Sequence, residues 1–151
     1  YIVIHHSATE SGNAAEFGQM HRDRGWDEMG YHFVITNGDG GSDGQVQVGS
    51  RWWKQKWGAH TGGTPDNEYN EYGIGICVVG NFMDHNPTPE QLKSARELVA
   101  YLMETYKIPM RNLIGHKDAP NALTECCGRM FYRYLHGRFK SQLRTQLAAV
   151  H

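Results

Sequence analysis

Residues 73–80 read GIGICVVG, an apolar and partly β-branched run of strand length closed by glycine at both ends. Apolar side chains on successive positions, without polar alternation, describe a strand covered on both faces, the central strand of a sheet flanked by helices. Cys77 within it reads as a small buried hydrophobe. The chain on either side supplies the partners.

Upstream, residues 1–5, YIVIH, form a second short apolar strand that ends on His5. His6 falls on the opposite face by the alternation of strand side chains. Asn13 caps a helix running to about Arg24, with Ala14, Phe17, Met20 and His21 on or near one face. After Gly25, Tyr31, Phe33 and Ile35 alternate with His32 and Val34 as a strand requires. Residues 36–44, TNGDGGSDG, are a hairpin turn by their Asn, Asp and Gly content, and QVQVG returns as a strand with Gln45 and Gln47 toward solvent. Asp39 and Asp43 lack the spacing and the closing Glu of a calcium loop.

Downstream, Thr88-Pro89-Glu90-Gln91 combines a capping hydroxyl, a proline at the first helical position and a glutamine three after the cap. Leu92, Ala95, Leu98, Val99, Leu102 and Tyr106 continue at helical spacing, and Pro109 marks the stop. Residues 111–115, RNLIG, are a last strand, and Phe131, Leu135, Phe139, Leu143 and Leu147 fall four apart along a C-terminal helix. The pattern predicts a single α/β domain over residues 1–151, with a mixed sheet of about five strands flanked by about three helices.

Residues 50–72 show no sustained period and carry three of the four tryptophans. A loop of this length inside a domain is functional or disordered, and its aromatic content argues against disorder. Trp52, Trp53 and Trp57 either offer faces to a ligand or tack the loop to the core. His60, in GAHT, is flanked by small residues and reads as a ligand-contacting position.

Fifteen basic against sixteen acidic residues exclude the basic excess expected of a nucleic-acid binder. No apolar run is long enough to cross a membrane, and no signal-peptide pattern is present. The chain enters its first strand at once without an initiator Met, so residues upstream are expected, and the compartment stays open. Nine histidines point to metal or proton chemistry. Three cysteines, two of them adjacent, make a poor disulfide framework and fit a metal thiolate better.

Residues 115–128, GHKDAPNALTECCG, concentrate that chemistry, because His116 and Cys126 are donors of the kind zinc prefers. A catalytic zinc takes three protein ligands and leaves one position open. His5 ends the first strand and His116 follows the last. If those strands neighbour each other in parallel, both imidazoles emerge at one sheet edge and Cys126 completes a His-His-Cys set. Taken alone, His5 reads as a partly buried polar group rather than a ligand, and Tyr31 as a core aromatic whose hydroxyl finds a local partner.

IVIHHSAT, GWDEMGYHFVI, GAHTGG followed by YGIGICVVGNF, TPEQL and GHKDAPNALTECCG together resemble, in order and spacing, the zinc-dependent N-acetylmuramoyl-L-alanine amidases. That family includes bacteriophage amidase lysozymes and animal peptidoglycan recognition proteins. The resemblance implies zinc ligation by His5, His116 and Cys126, catalytic roles for Tyr31 and Thr124, and a substrate-facing His60. It further implies hydrolysis of the amide joining N-acetylmuramic acid to L-alanine in peptidoglycan, with no nucleic-acid partner, no membrane insertion and a monomeric state. Trp52 or Trp57 would then stack on sugar or stem peptide, with Asn67 and Asn70 as polar contacts. Two features depart from the family pattern: nine residues, 117–125, separate the last two ligands, a longer loop than usual, and Cys127 replaces a proline. A peptidoglycan-binding module without catalysis and a cysteine hydrolase using Cys126 or Cys127 with a histidine are the rival readings.

Overall fold

The computed structural model describes residues 1–150; His151, the last residue of the expected domain, lies outside them. β1 (Ile2–His6), β2 (Phe33–Ile35), β3 (Val46–Val48), β4 (Ile74–Val78) and β5 (Leu113–Gly115) form one sheet in the order β3-β2-β4-β1-β5. β4 is the central strand, parallel to β1 from Ile2↔Ile74 to His6↔Val78 and parallel to β2 through Phe33↔Ile76. β1 and β5 are neighbours in parallel, with Ile4 opposite Gly115. Only the edge hairpin of β2 and β3 is antiparallel, so the sheet is mixed.

The two faces of the sheet are unequal. Ile2, Ile4, Phe33, Ile35, Ile76 and Val78 point to one side and pack on α4 (Pro89–Tyr106) and the C-terminal helix, forming the main core. Val34, Cys77 and Val79 point to the other, against Phe17 of α1 (Ala14–Asp23) and Met29, a much smaller cluster. His5 pairs with Cys77 across β1 and β4 and therefore lies on this second face. Apolar burial on the first face carries the stability, which leaves the second free to hold polar groups.

The local signals act as expected. Asn13 Oδ1 accepts from Glu16 N at 2.8 Å and caps α1. At α4, Gln91 N donates to Thr88 Oγ1 at 3.0 Å while Thr88 N donates back to Gln91 Oε1 at 3.1 Å, a complete capping box. The C-terminal helix is continuous through α5 (Arg129–Tyr134), a π turn (Leu135–Phe139) and α6 (Lys140–Val150). A strict spacing of four drifts by about 40° per step on a helix of 3.6 residues per turn. The wider π turn offsets that drift and keeps Phe131, Leu135, Phe139 and Leu143 all fully buried.

Three details differ from expectation. Met20 is exposed, because it lies on the rim of a cavity rather than under α1. β2 starts at Phe33 instead of Tyr31, since Gly30 O accepts from Ala59 N at 3.0 Å and the chain there is drawn to another segment. Residues 50–72 are ordered, with α2 (Ser50–Trp53) and α3 (Glu68–Glu71) as single helical turns. No helix among the described residues is long and apolar enough to cross a membrane.

Candidate metal centre and active site

The C-terminal ends of β1 and β5 bring His5 and His116 side by side, with ring centroids 4.7 Å apart. The loop that follows His116 folds back, so that Lys117 N donates to Cys126 O at 2.8 Å and returns the thiol to the same edge. One ligand atom each from His5, His116 and Cys126 lies within 4.8 Å of the others. A tetrahedral zinc holding nitrogen at about 2.0–2.1 Å and sulfur at about 2.3 Å sets those two atoms about 3.6 Å apart. His5 Nδ1 and Cys126 Sγ are separated by 3.6 Å. Geometry and donor chemistry fit zinc, with three protein ligands and a fourth position left for water or substrate.

Burial prepares these groups unequally. His5, 1% exposed, is held neutral, its pKa driven well down by desolvation and by the neighbouring imidazoles of His60 and His116. Burial also lowers His116. Both are thus neutral ligands at physiological pH. The Cys126 thiol is pushed up to about 12 by burial, although His6 N donates to its sulfur at 3.3 Å. Without a cation this cysteine is a thiol, and so is Cys127, which is more deeply buried. Neither has the lowered pKa of an activated nucleophile, which counts against the cysteine hydrolase reading. The Cys126–Cys127 peptide bond is cis.

His60 sits behind the ligand set instead of in front of it. It is 8% exposed, and its Nδ1 lies 3.1 Å from His5 Nε2. With His5 ligating through Nδ1, its Nε2–H donates to His60 Nδ1, and His60 Nε2–H donates to Gly73 O at 3.1 Å. That arrangement fixes the His5 tautomer and ring plane, as the hydrogen-bond partners of metal-binding histidines do. A β-carbon at position 75 would overlap the His60 ring, so Gly75 in β4 makes the room for it. Asn70 Oδ1 in turn accepts from His60 N at 2.8 Å and Thr61 N at 2.9 Å, and Asn67 Oδ1 accepts from Asn70 Nδ2 at 2.9 Å. His60, Asn70 and Asn67, the first and last of them expected to face substrate, thus form a brace running from the loop to His5.

Tyr31 lies 5.2 Å from His5, ring to ring, and its hydroxyl bonds Cys77. Burial and the nearby thiols hold its pKa well above the ordinary value, so it stays a hydrogen-bond donor. Thr124 Oγ1 accepts from Cys126 N at 3.1 Å and stands at the lip of the loop. In front of Tyr31 a cavity of about 150 Å³ opens between β1 and α1, lined by Ser7, Thr9, Phe17, Met20, His21 and Arg24. Trp52 and Trp57 do not line it. Trp52 packs on Phe33 at 4.9 Å and Tyr106 at 5.8 Å, tacking the loop to the core, and both tryptophans border a different concavity.

Sequence reasoning passed over Asp118, which holds the metal loop in place. Its carboxylate accepts from Gly115 N at 3.0 Å, from the Tyr132 hydroxyl and from His136 Nε2 at 2.7 Å. Those bonds tie the turn after His116 to the C-terminal helix. The HKD tripeptide was the available signal, but its partners lie 14 and 18 residues further on.

Two histidines and one cysteine converge at the C-terminal edge of the sheet of an α/β domain, a donor set whose chemistry fits a zinc ion. The family model described as N-acetylmuramoyl-L-alanine amidase matches residues 1–129, and the chain belongs to that family. It is 34% identical over 129 residues to the endolysin of Escherichia phage T7, covering 80% of this chain and 77% of that one. Peptidoglycan recognition protein 1 of Bos taurus is 32% identical over 134 residues, covering 82% of this chain and 65% of the relative. Among solved structures, the N-acetylmuramoyl-L-alanine amidase LysC from Clostridium intestinale URNW superposes with a TM-score of 0.78 at 32% identity, over 95% of this chain and 83% of that one.

Proposed function

We propose that this protein is a zinc-dependent N-acetylmuramoyl-L-alanine amidase, cleaving the amide between the lactyl group of N-acetylmuramic acid and L-alanine of the stem peptide. The observation that carries the reading is the convergence of His5, His116 and Cys126 beside the protonated phenol of Tyr31. Zinc, when bound, supplies a Lewis acid that activates water near neutral pH and polarises the scissile carbonyl. His5 and His116 would hold it as neutral imidazoles and Cys126 as a thiolate.

Tyr31 donates a hydrogen bond to the carbonyl oxygen as it gains negative charge, a contact worth about 3–4 kcal/mol in a site shielded from water. Thr124, whose oxygen is occupied by Cys126 N, keeps its hydroxyl proton for the same oxygen. The cavity between β1 and α1 receives the stem peptide, and His60 keeps His5 in place.

Incubation with purified cell walls tests the reading. Release of new N-terminal alanine amines without new reducing sugar ends is expected, abolished by a strong chelator and restored by zinc. Binding to walls with no release after zinc loading would leave a recognition module and refute the enzyme. Retention of one zinc per chain by His5→Ala would refute the ligand assignment.

A further inference from the structure

At the opposite edge of the sheet from the ligand set, a second cavity of about 380 Å³ opens where β1, β2 and β4 begin. The length of β1 separates the two sites by about 15 Å at about 3.3 Å per residue. Large aromatic side chains gather around it while remaining exposed: Trp57 at 55%, Tyr72 at 68% and Tyr106 at 48%. Trp52 closes its inner wall and His32 its floor. Packing does not account for rings this exposed, and an exposed apolar patch with a polar rim marks a binding surface.

The chemistry of the walls narrows the ligand. Lys56 pairs with Glu28, their charged atoms 2.6 Å apart, and shares that carboxylate with Lys54. His32 has both ring nitrogens engaged, one with Lys56 O at 3.0 Å and the other accepting from Gly75 N at 3.0 Å. Glu71, bonded by the Tyr72 hydroxyl, retains acceptor positions for further hydroxyl donors. A cavity with aromatic faces, a lysine held by a carboxylate and spare acceptors suits a polyhydroxylated ring: its C–H face packs on the aromatics and its hydroxyls reach the rim.

We propose that this cavity binds an N-acetylated hexosamine of the glycan strand, a second contact with the polymer whose stem peptide enters the metal site. The choice of polymer rests on the amidase reading; the cavity and its preference for a sugar do not. Two contacts on one chain raise the effective concentration of the second, so the cavity favours the polymer over small fragments.

The probe is the β-1,4-linked tetramer of N-acetylglucosamine, which carries no lactyl group, no stem peptide and none of the amide that joins them. Saturable binding to the zinc-loaded protein with Kd near or below about 1 mM is expected, with shifts of the Trp52 and Trp57 indole N–H resonances. Trp57→Ala weakens it about tenfold, and Trp57→Phe, which keeps a ring, recovers most of it. Tyr72→Ala also weakens binding, slows release from intact walls and leaves the rate on a soluble muramoyl peptide unchanged. Thermal unfolding of each variant separates loss of the site from loss of the fold. Absence of saturable binding overturns the proposal, as does equal binding by folded Trp57→Ala, shifts confined to Tyr31 and His116, or competition by a sugar-free stem peptide. The amidase assay is read separately. Sugar binding without amide cleavage leaves the cavity standing and removes the catalytic reading; cleavage without sugar binding does the reverse.

Discussion

Replacing His60 by alanine removes the acceptor 3.1 Å from His5 Nε2 and leaves that N–H without a partner. His5 is 1% exposed, so water does not replace the lost bond. An unsatisfied buried donor costs about 1–3 kcal/mol. At about 1.4 kcal/mol per decade, that weakens metal binding by roughly 5- to 150-fold. Loss of groups that orient metal ligands commonly costs about 10–100-fold, which falls in the same range. Competition for zinc against a chromophoric chelator at neutral pH reads the affinity, and circular dichroism with a melting curve shows whether the variant folds. His60→Gln, whose amide oxygen is an acceptor, recovers part of the loss. Wild-type zinc affinity in a folded His60→Ala protein would refute the reasoning, because the ring plane of His5 would then be set by something else.

Tyr31→Phe removes the hydroxyl proposed to leave Cys77 for the developing oxyanion while keeping the ring beside His5, and kcat falls about 10²–10³-fold with zinc content unchanged. An unaltered kcat would remove Tyr31 from the catalytic set. Tyr132→Phe takes one of three donors from the Asp118 carboxylate. Melting temperature drops by about 2–4 °C, for about 1 kcal/mol, and zinc dissociates a few-fold faster in a stopped-flow chelator trap. Glu28, bonded by Lys54 and Lys56, is held down at about 2 from its ordinary 4.5. A depressed carboxyl stabilises the fold above its unfolded pKa, and the contribution disappears as pH falls from about 4.5 to about 2. Because both ammonium groups are largely solvated, Glu28→Gln costs about 1 kcal/mol at pH 7 and nothing at pH 2. Melting curves that stay parallel across that range would contradict the pairing.

Much of the fold is written locally. The uninterrupted apolar run of β4, the capping box at Thr88, and the fourfold stripe of the C-terminal helix each involve residues within a few positions of one another, so their physics acts before any tertiary contact forms. The ligand set is partly legible in the same way. His5 and His116 stand at strand ends, and parallel neighbours place their ends together. His6, one residue on, turns to the other face, where its Nδ1 accepts from Phe82 N at 3.1 Å.

The supporting groups were decided only by the tertiary structure. His60 lies 55 residues from His5 along the chain, and nothing periodic in GAHT says whether its ring faces solvent or the back of a metal ligand. That outcome depends on Gly75, a residue of another strand, having no side chain. Trp52 and Trp57, five positions apart in one aperiodic loop, meet at a cavity on the far edge of the sheet, Trp52 packed on the core and Trp57 exposed. Asp118 finds Tyr132 and His136 only once the C-terminal helix has docked. Sequence determined the donors and the strand ends that carry them, because those are short-range properties. Which side chains orient the donors, and where the loop aromatics point, follow from contacts between segments brought together by the sheet.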